Sequence, residues 1–302
     1  MKIKKAVPLL LLPLVWGCYY VASQQAVSRM SVFSVGVLIR FITMVFLLVI
    51  MARKKELKRL VQVKGVLLRL LLVGLLGYSL DLTAFLGLTY APAGVGAAIL
   101  QCDIIFINLL SMIIYKERFT KRDWGFVLVM LMGVFLVMNI NFKEMDIANK
   151  GNIYFVLSAL FVSINAFVIK SAQTDKHNPV PDNVVAFYNN FVTMVLFLIS
   201  ATFMGTLSQI ERVVENKALL IAILCAGGGQ TLVYMVYYHN LRNNPVWIVK
   251  VCVLLMPVVS MTVSFLLFGT GIKLIQCLGI LIVLGGAFGI LTEQKRKTVE
   301  NL

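Results

Sequence analysis

The sequence predicts an all-α integral membrane protein with ten transmembrane helices, in a 5+5 inverted-topology repeat around a central cavity. Composition is the first reason: of the 302 residues, 60% are hydrophobic and 14% are charged, and the mean hydropathy is +0.91. Soluble globular proteins are about 45–50% apolar and about 25% charged, so a sizeable soluble domain is excluded. The other reasons are the spacing of the apolar runs and the unequal distribution of Lys and Arg among the loops.

Ten apolar windows are long enough to cross a bilayer, which takes about 20 residues. They cover residues 6–27, 32–52, 65–88, 93–115, 122–140, 151–172, 183–204, 217–240, 245–268 and 272–291. Helix-breaking sequences at 91–94, 178–181 and 243–245 separate neighbouring windows. The first window resembles a signal peptide, but no Ala-x-Ala cleavage site follows it, so we predict that it is the first span.

Positive charge is concentrated in alternate loops. With the N-terminus inside, the inner segments hold 20 Lys and Arg residues and the outer segments hold 6, while Arg40 and Lys250 lie within spans. This distribution follows the positive-inside rule and predicts a cell-membrane protein with both termini cytoplasmic. We therefore expect the net charge of +15 to interact with anionic membrane lipid and not with nucleic acid.

The two halves of the chain repeat weakly. Residues 115–138 align with residues 268–291 at an offset of 153, which also places Asp103 opposite Met256. Five spans separate the copies, and because five is odd the second copy must cross the membrane in the opposite direction. The predicted divisions are a first five-helix repeat at 1–140, a second, inverted repeat at 151–295, and a cytoplasmic tail at 296–302.

Small residues are predicted to bring helices close together. In the fifth and tenth spans these are Gly133, Gly285, Ala287 and Gly289. Three consecutive glycines at 227–229 lack the Lys-Ser/Thr that would follow in a phosphate loop, so we interpret them as a site of close packing or a flexible point.

Several spans carry polar and aromatic residues on one helical face, as the lining of a cavity requires. Such faces also suit seams of hydrogen bonds between helices, because polar groups in lipid pair with one another. The candidate substrate-binding residues are Trp16, Tyr19, Tyr78, Asp81, Asp103, Asn165, Tyr188, Asn189, Gln230, Tyr234, Tyr237 and Lys250.

Four ionisable residues lie deep within the predicted spans: Arg40, Asp81, Asp103 and Lys250. Because their charges sum to zero, two structural ion pairs are one interpretation. The other is functional, since a carboxylate facing a cavity can titrate or bind an ammonium group. We expect a structural role for Arg40 and a coupling role for Asp103 and Asp81.

The chain resembles the EamA-type branch of the drug/metabolite transporter superfamily. The resemblance covers nearly the whole chain and rests on Trp16-Gly17, residues 38–41 and 74–90, Lys116-Glu117-Arg118, Trp124, Gly133 and residues 256–258. It implies ten helices in two inverted repeats and a secondary transporter. The chain departs from the family pattern at Met256 and Thr270, where family members usually carry Glu, so details of coupling cannot be carried over.

A second resemblance is more local. Phe187-Tyr188-Asn189-Asn190 is similar to the FYNN motif by which nucleotide-sugar transporters of the same superfamily contact the base. The Gly-Ala-Leu-Asn-Lys motif that accompanies it in that branch is absent.

The predicted function is secondary active transport of a small organic metabolite (an amino acid, amine or similar zwitterion), driven by a proton or solute gradient. A carrier of nucleotide-linked or other anionic metabolites is the alternative, and a passive channel is a third. An intramembrane enzyme is excluded because neither Gly-x-Ser-Gly with His nor clustered Asp is present. We predict no cofactor and no metal site, because two His and dispersed Cys do not form a ligand set. The expected state is a monomer or weak homodimer.

Overall fold

The computed structural model describes residues 3–90, 99–139, 150–269 and 271–300. Within these ranges the chain is entirely helix and loop, without a strand. The longer helices are α1 (Ile3–Val27), α2 (Val32–Arg53), α3 (Leu67–Tyr90), α4 (Asp103–Ile114), α5 (Lys121–Val137), α6 (Lys150–Gln173), α7 (Asp182–Phe203), α8 (Lys217–Asn243), α9 (Val246–Val253), α10 (Met256–Phe268) and α11 (Leu274–Glu300). The predicted turn at 91–94 and Thr270 lie outside the described residues.

The helices are apolar enough and long enough to confirm a multi-pass membrane protein. Among the described residues, seven candidate spans reach transmembrane length, and one of these, Val246–Phe268, combines α9 and α10. Two further apolar segments, Ile99–Ile114 and Leu274–Ile290, are shorter, and α5 has 17 residues. The total agrees with the predicted number of about ten spans.

Two predicted spans are not continuous helices, which corrects the sequence analysis. The fourth is interrupted at Cys102, where two successive i→i−3 hydrogen bonds tighten the backbone. The ninth is interrupted at Leu254–Leu255. Pro257 explains the second break, because it has no N–H to donate to the carbonyl of Val253 and its ring crowds that carbonyl.

The chain divides into two compact units. The first comprises Met1–Leu14, Leu80–Ile164 and Asn244–Leu302, and the second comprises Val15–Ser79 and Asn165–Asn243. Each unit therefore draws helices from both halves of the predicted repeat.

In the first unit α5 and α11 pack at close range through glycines. A Cβ atom on Gly279 would lie 2.6 Å from the backbone nitrogen of Val137 and 2.8 Å from the carbonyl oxygen of Gly133. A Cβ atom on Gly133 would lie 2.8 Å from the nitrogen of Val283. The expected packing role is thus confirmed for Gly133, but it is wrong for Gly285, which has open space around its Cα. Close backbone approach of this kind is how membrane helices associate without a hydrophobic driving force.

Gly279→Ala and Gly285→Ala test this interface as a matched pair on one helix. Gly279→Ala should destabilise the protein by about 1–3 kcal/mol, because the added methyl group meets backbone atoms that cannot move aside. Gly285→Ala should be neutral or stabilising, since alanine has the higher helix propensity. Thermal unfolding in detergent measures both, and equal effects of the two changes would contradict the assignment.

In the second unit α2 packs against α7 and α8. A Cβ atom on Gly227 would lie 2.5 Å from the Ile42 side chain, and one on Gly229 would lie 3.2 Å from Cβ of Tyr19. The Thr43 hydroxyl donates to the Gly227 carbonyl at 3.1 Å. The glycine run at 227–229 is therefore a site of close packing, one of the two interpretations of the sequence.

Loops of the second unit meet as the predicted topology requires. The Asn178 amide donates to the carbonyls of Gln62 and Lys64 at 3.0 and 3.2 Å, which joins two segments predicted to be cytoplasmic. At the other end the Ser34 hydroxyl donates to the Thr206 carbonyl at 2.7 Å, joining two segments predicted to be external. Segments assigned to one side of the membrane are thus neighbours.

Asp175 anchors the loop after α6. Its carboxylate accepts hydrogen bonds from the backbone N–H groups of Asn178 and His177, both at 2.9 Å, and forms an ion pair with Arg69 at 2.6 Å. These hydrogen bonds, with those from the backbone the largest cause, lower the pKa of Asp175 to about 2. The carboxylate therefore stays ionised at any physiological pH, and the anchor is lost only in strong acid.

Candidate functional site

The first unit contains a buried ion pair between Asp103 and Lys250. The ammonium group of Lys250 contacts Oδ2 of Asp103. Asp103 is 1% exposed and Lys250 is 9% exposed. The pair therefore lies inside the helical packing of the unit and not on its surface.

The breaks in the helices place both charges at helix ends. Asp103 is the first residue of α4, and Lys250 is in the last turn of α9. A helix dipole favours negative charge at the N-terminus and positive charge at the C-terminus, by about 0.3–1 kcal/mol in exposed cases. Each charge is thus stabilised by its own helix as well as by its partner.

Both charges have buried apolar neighbours in the sequence. Val249, Val253 and Leu254 are fully or almost fully buried near Lys250, and Ile104 and Ile107 are buried near Asp103. The Ser163 hydroxyl supplies a polar contact by donating to the Asp103 backbone carbonyl at 3.2 Å. In such an environment each charge requires the other, because an uncompensated buried charge is strongly destabilising.

The carboxylate of Asp103 is only partly used by Lys250. Its second oxygen, Oδ1, is buried and has no hydrogen-bond partner among the described residues. A carboxylate offers about four lone-pair positions, so this oxygen can accept a further donor. The pair therefore has the capacity to bind a second positive group.

The second unit contains a different polar cluster. The Arg40 guanidinium donates to the Tyr234 hydroxyl and lies 5.8 Å from the centre of the Tyr234 ring. The Asn189 amide donates to the Tyr238 hydroxyl at 2.6 Å, and the Tyr234 and Tyr238 rings are 5.3 Å apart. The cluster thus brings the candidate substrate-binding residues Asn189 and Tyr234 together with Arg40. Tyr238 lies at its centre.

The aromatic residues predicted on α1 also join this unit. Trp16 packs edge-to-face on Tyr237 at 5.1 Å between ring centres, and Tyr237 lies 5.8 Å from Tyr238. Tyr19 lies against the α8 backbone at Gly229. The α1 and α8 residues therefore form one aromatic surface with the Arg40 cluster.

Other predicted site residues bond within the unit. The Tyr188 hydroxyl donates to the Leu60 carbonyl at 2.8 Å, and Tyr78 shares a hydrogen bond with Ser200. Asn190 is fully buried and donates to the Arg40 carbonyl at 2.7 Å. The FYNN segment is thus held by hydrogen bonds within its own unit.

The remaining predicted residues are placed individually. Asn165 is buried in α6, and its Oδ1 has no hydrogen-bond partner among the described residues. Gln230 is buried in α8, and Asp81 is half-buried in α3.

Sequence reasoning missed three polar residues of the fourth span. Gln101, Asn108 and Ser111 are buried, and their side chains leave atoms without a hydrogen-bond partner in the described part of the chain. Such an atom costs about 1–3 kcal/mol if nothing satisfies it. Their spacing of seven and three residues follows one helical face, which is the signal that could have found them.

Membrane-spanning helices interrupted beside buried charges are typical of membrane transporters. The chain belongs to the EamA-like transporter family, whose pattern matches residues 4–139 and again residues 149–292. The protein is therefore a transporter embedded in the membrane and not an enzyme.

Three relatives are similar in sequence. A probable amino-acid metabolite efflux pump of Salmonella typhimurium is 22% identical over 226 residues, covering 71% of this chain and 75% of the relative. GDP-fucose transporter 1 of Monosiga brevicollis is 29% identical over 153 residues, covering 50% of this chain and 43% of the relative. An uncharacterized transporter of Methanothermobacter thermautotrophicus is 26% identical over 170 residues, covering 55% of this chain and 48% of the relative. The match spans about half the length of the last two.

A solved crystal structure has the same fold. It aligns with 94% of this chain and 97% of its own length, with a TM-score of 0.74 and 15% sequence identity. At this identity the likeness concerns the fold alone.

The interdependence of Asp103 and Lys250 can be measured by a double-mutant cycle. Asp103→Asn and Lys250→Met should each lower the free energy of unfolding by about 3 kcal/mol or more, because each leaves one buried charge alone. The double variant should recover most of that loss. Thermal unfolding in detergent reports all three, and additive losses in the double variant would show that the two charges do not depend on each other.

Proposed function

We propose that this transporter is a secondary active carrier of a small zwitterionic metabolite such as an amino acid, and that Asp103 and Lys250 bind its two charges. The observation that carries the proposal is a buried pair of opposite charges at the ends of broken helices. Substrate sites of secondary transporters commonly lie at such breaks. The resemblance to an amino-acid metabolite efflux pump supports the same substrate class.

A zwitterion fits the pair by replacing one ion pair with two. Its ammonium group binds the Asp103 carboxylate, where Oδ1 already lacks a donor, and its carboxylate binds the ammonium group of Lys250. The site is then neutral with and without substrate. In neither state is a charge left unpaired inside the membrane. An unpaired charge there would be costly for a carrier.

Asp103 and Asp81 are also the proposed coupling residues. A carboxylate that changes its partner when substrate arrives can take up or release a proton as its surroundings change. The energy source on this proposal is a proton or solute gradient across the membrane.

A carrier of nucleotide-linked or other anionic metabolites is the second candidate, favoured by the similarity to GDP-fucose transporter 1. The FYNN segment supports it weakly, because Tyr188 and Asn189 already bond to Leu60 and Tyr238. A nucleotide base would have to displace these hydrogen bonds. The zwitterion proposal requires no such rearrangement.

Transport into proteoliposomes tests the leading proposal. Saturable uptake of labelled amino acids should fall at least about 100-fold in Asp103→Asn and in Lys250→Met, since loss of a buried ionic contact costs about 2–5 kcal/mol. Uptake should also stop when the gradient is collapsed.

Tyr188→Phe is the control for this assay. It removes a hydroxyl that is bonded to the Leu60 carbonyl, and it should leave uptake of the zwitterion within about twofold of the original. Uptake that persists in both charge variants would remove the pair from the mechanism. Uptake of nucleotide sugars in place of amino acids would favour the second candidate.

A further inference from the structure

The buried face of α4 carries polar side chains that have no hydrogen-bond partner among the described residues. Asn108 and Ser111 are both fully buried. Neither Oδ1 nor Nδ2 of Asn108, nor the Ser111 hydroxyl, has a hydrogen-bond partner among the described residues. The carbonyl oxygen of the Gln101 side chain, two residues before Asp103, is in the same condition. Asn108 and Ser111 lie on α4, which begins at Asp103, and Gln101 lies just before it.

Several buried polar side chains on other helices bond within their own helix. The hydroxyls of Thr43, Ser163 and Thr231 each donate to the carbonyl four residues earlier, at 2.7–2.9 Å. The amide of Asn240, also fully buried, donates to the Val236 carbonyl at 2.8 Å. A side chain on a helix can therefore satisfy itself locally. Asn108 and Ser111 have no such partner in the part of the chain that the structure describes, so their polar groups are available to a further partner.

Asn108 and Ser111 lie on α4 between the ion pair and the C-terminal end of the helix. Ser111 follows Asp103 by eight residues, which is about 12 Å along an α-helix, and Asn108 lies between them. At the end of α4 Lys116 has a φ of 54°, and the backbone N–H of Glu117 turns back to the Ser111 carbonyl at 3.4 Å. This end precedes the basic segment that the charge pattern predicts to be cytoplasmic.

We propose that the buried face of α4 binds internal water, in a hydrogen-bonded file from Glu117 past Ser111 and Asn108 to the Asp103–Lys250 pair. Asn108 supplies both a donor and an acceptor, and Ser111 supplies a hydroxyl that can do either. A buried water needs two to four such partners. The file gives the ion pair an aqueous connection to one side of the membrane, along which a proton can move.

Thiol reactivity tests for this water without requiring transport. Asn108→Cys and Ser111→Cys are made in the full-length chain with its five native cysteines replaced by alanine. The probe is 2-aminoethyl methanethiosulfonate, a small cation that reacts with the thiolate, and a thiol forms thiolate only where water reaches it. Thiols introduced at both positions should react at least about tenfold faster than thiols at the two control positions described below. Apolar surroundings, whether protein or lipid, suppress formation of the thiolate.

Two control positions separate water from burial and from depth. Leu109→Cys lies at the same depth on the outward face of α4, where Leu109 is 44% exposed. Asn240→Cys replaces a buried amide that is satisfied by its own helix. If all four thiols react equally slowly, the face is dry and the proposal is overturned. Ser111→Cys changes one atom, so it decides the question even if Asn108→Cys does not fold.

A second measurement concerns the role of the water and rests on the proposed function. Asn108→Leu should reduce the maximal rate of amino-acid uptake at least about tenfold with little change in the half-saturating concentration, because it interrupts the file without touching the charges. An unchanged rate would overturn the role in transport. If both thiols react as expected but the protein transports no amino acid, the water proposal stands and the proposed function is rejected.

Discussion

The structure depends on the requirement that a charge inside the membrane be compensated. Asp103 and Lys250 meet this requirement together, because each is the counter-ion of the other and each lies at the favourable end of a helix. A continuous helix in the fourth or ninth span would remove the helix ends that stabilise the two charges. The broken helices and the ion pair are therefore two parts of one arrangement.

The polar cluster around Tyr238 in the second unit is held by hydrogen bonds within that unit. In the second unit Asn189, Tyr188 and Arg40 each bond to a neighbour within the unit, and α2 and α8 approach closely at Gly227. Satisfied polar networks of this kind make a structure rigid. In the first unit Asp103 and Asn108 have buried atoms without a hydrogen-bond partner among the residues that the structure describes. Unsatisfied buried groups are costly, and their closeness to the ion pair supports the proposal that α4 takes part in binding.

Much of the fold could be predicted from the sequence, because span length and loop charge are direct consequences of the bilayer. The break at Leu254–Leu255 could also have been predicted, since Pro257 removes the hydrogen bond to the Val253 carbonyl. The break at Cys102 could not be predicted, because no Pro or Gly marks it.

The site could be predicted only in part. The four deep charges were identified, but spacing along one helix cannot tell which residue of another helix is the partner, so the pairing of Asp103 with Lys250 required coordinates. The same limitation applies to the FYNN segment, where a motif suggested ligand contact and the structure provides internal partners for Tyr188 and Asn189. A sequence pattern shows which side chains are polar. It does not show which of them already have hydrogen-bond partners within the protein.

The most direct test is calorimetric binding of matched ligands to the purified protein. A panel of amino acids is compared with the amine formed by removing each carboxylate and the acid formed by removing each amino group. If the ion pair opens to bind both charges, at least one amino acid binds, and its amine and its acid bind at least about 100-fold more weakly, because each leaves one partner without a counter-ion. Equal binding of the amino acid and its amine, or of the amino acid and its acid, would contradict the account.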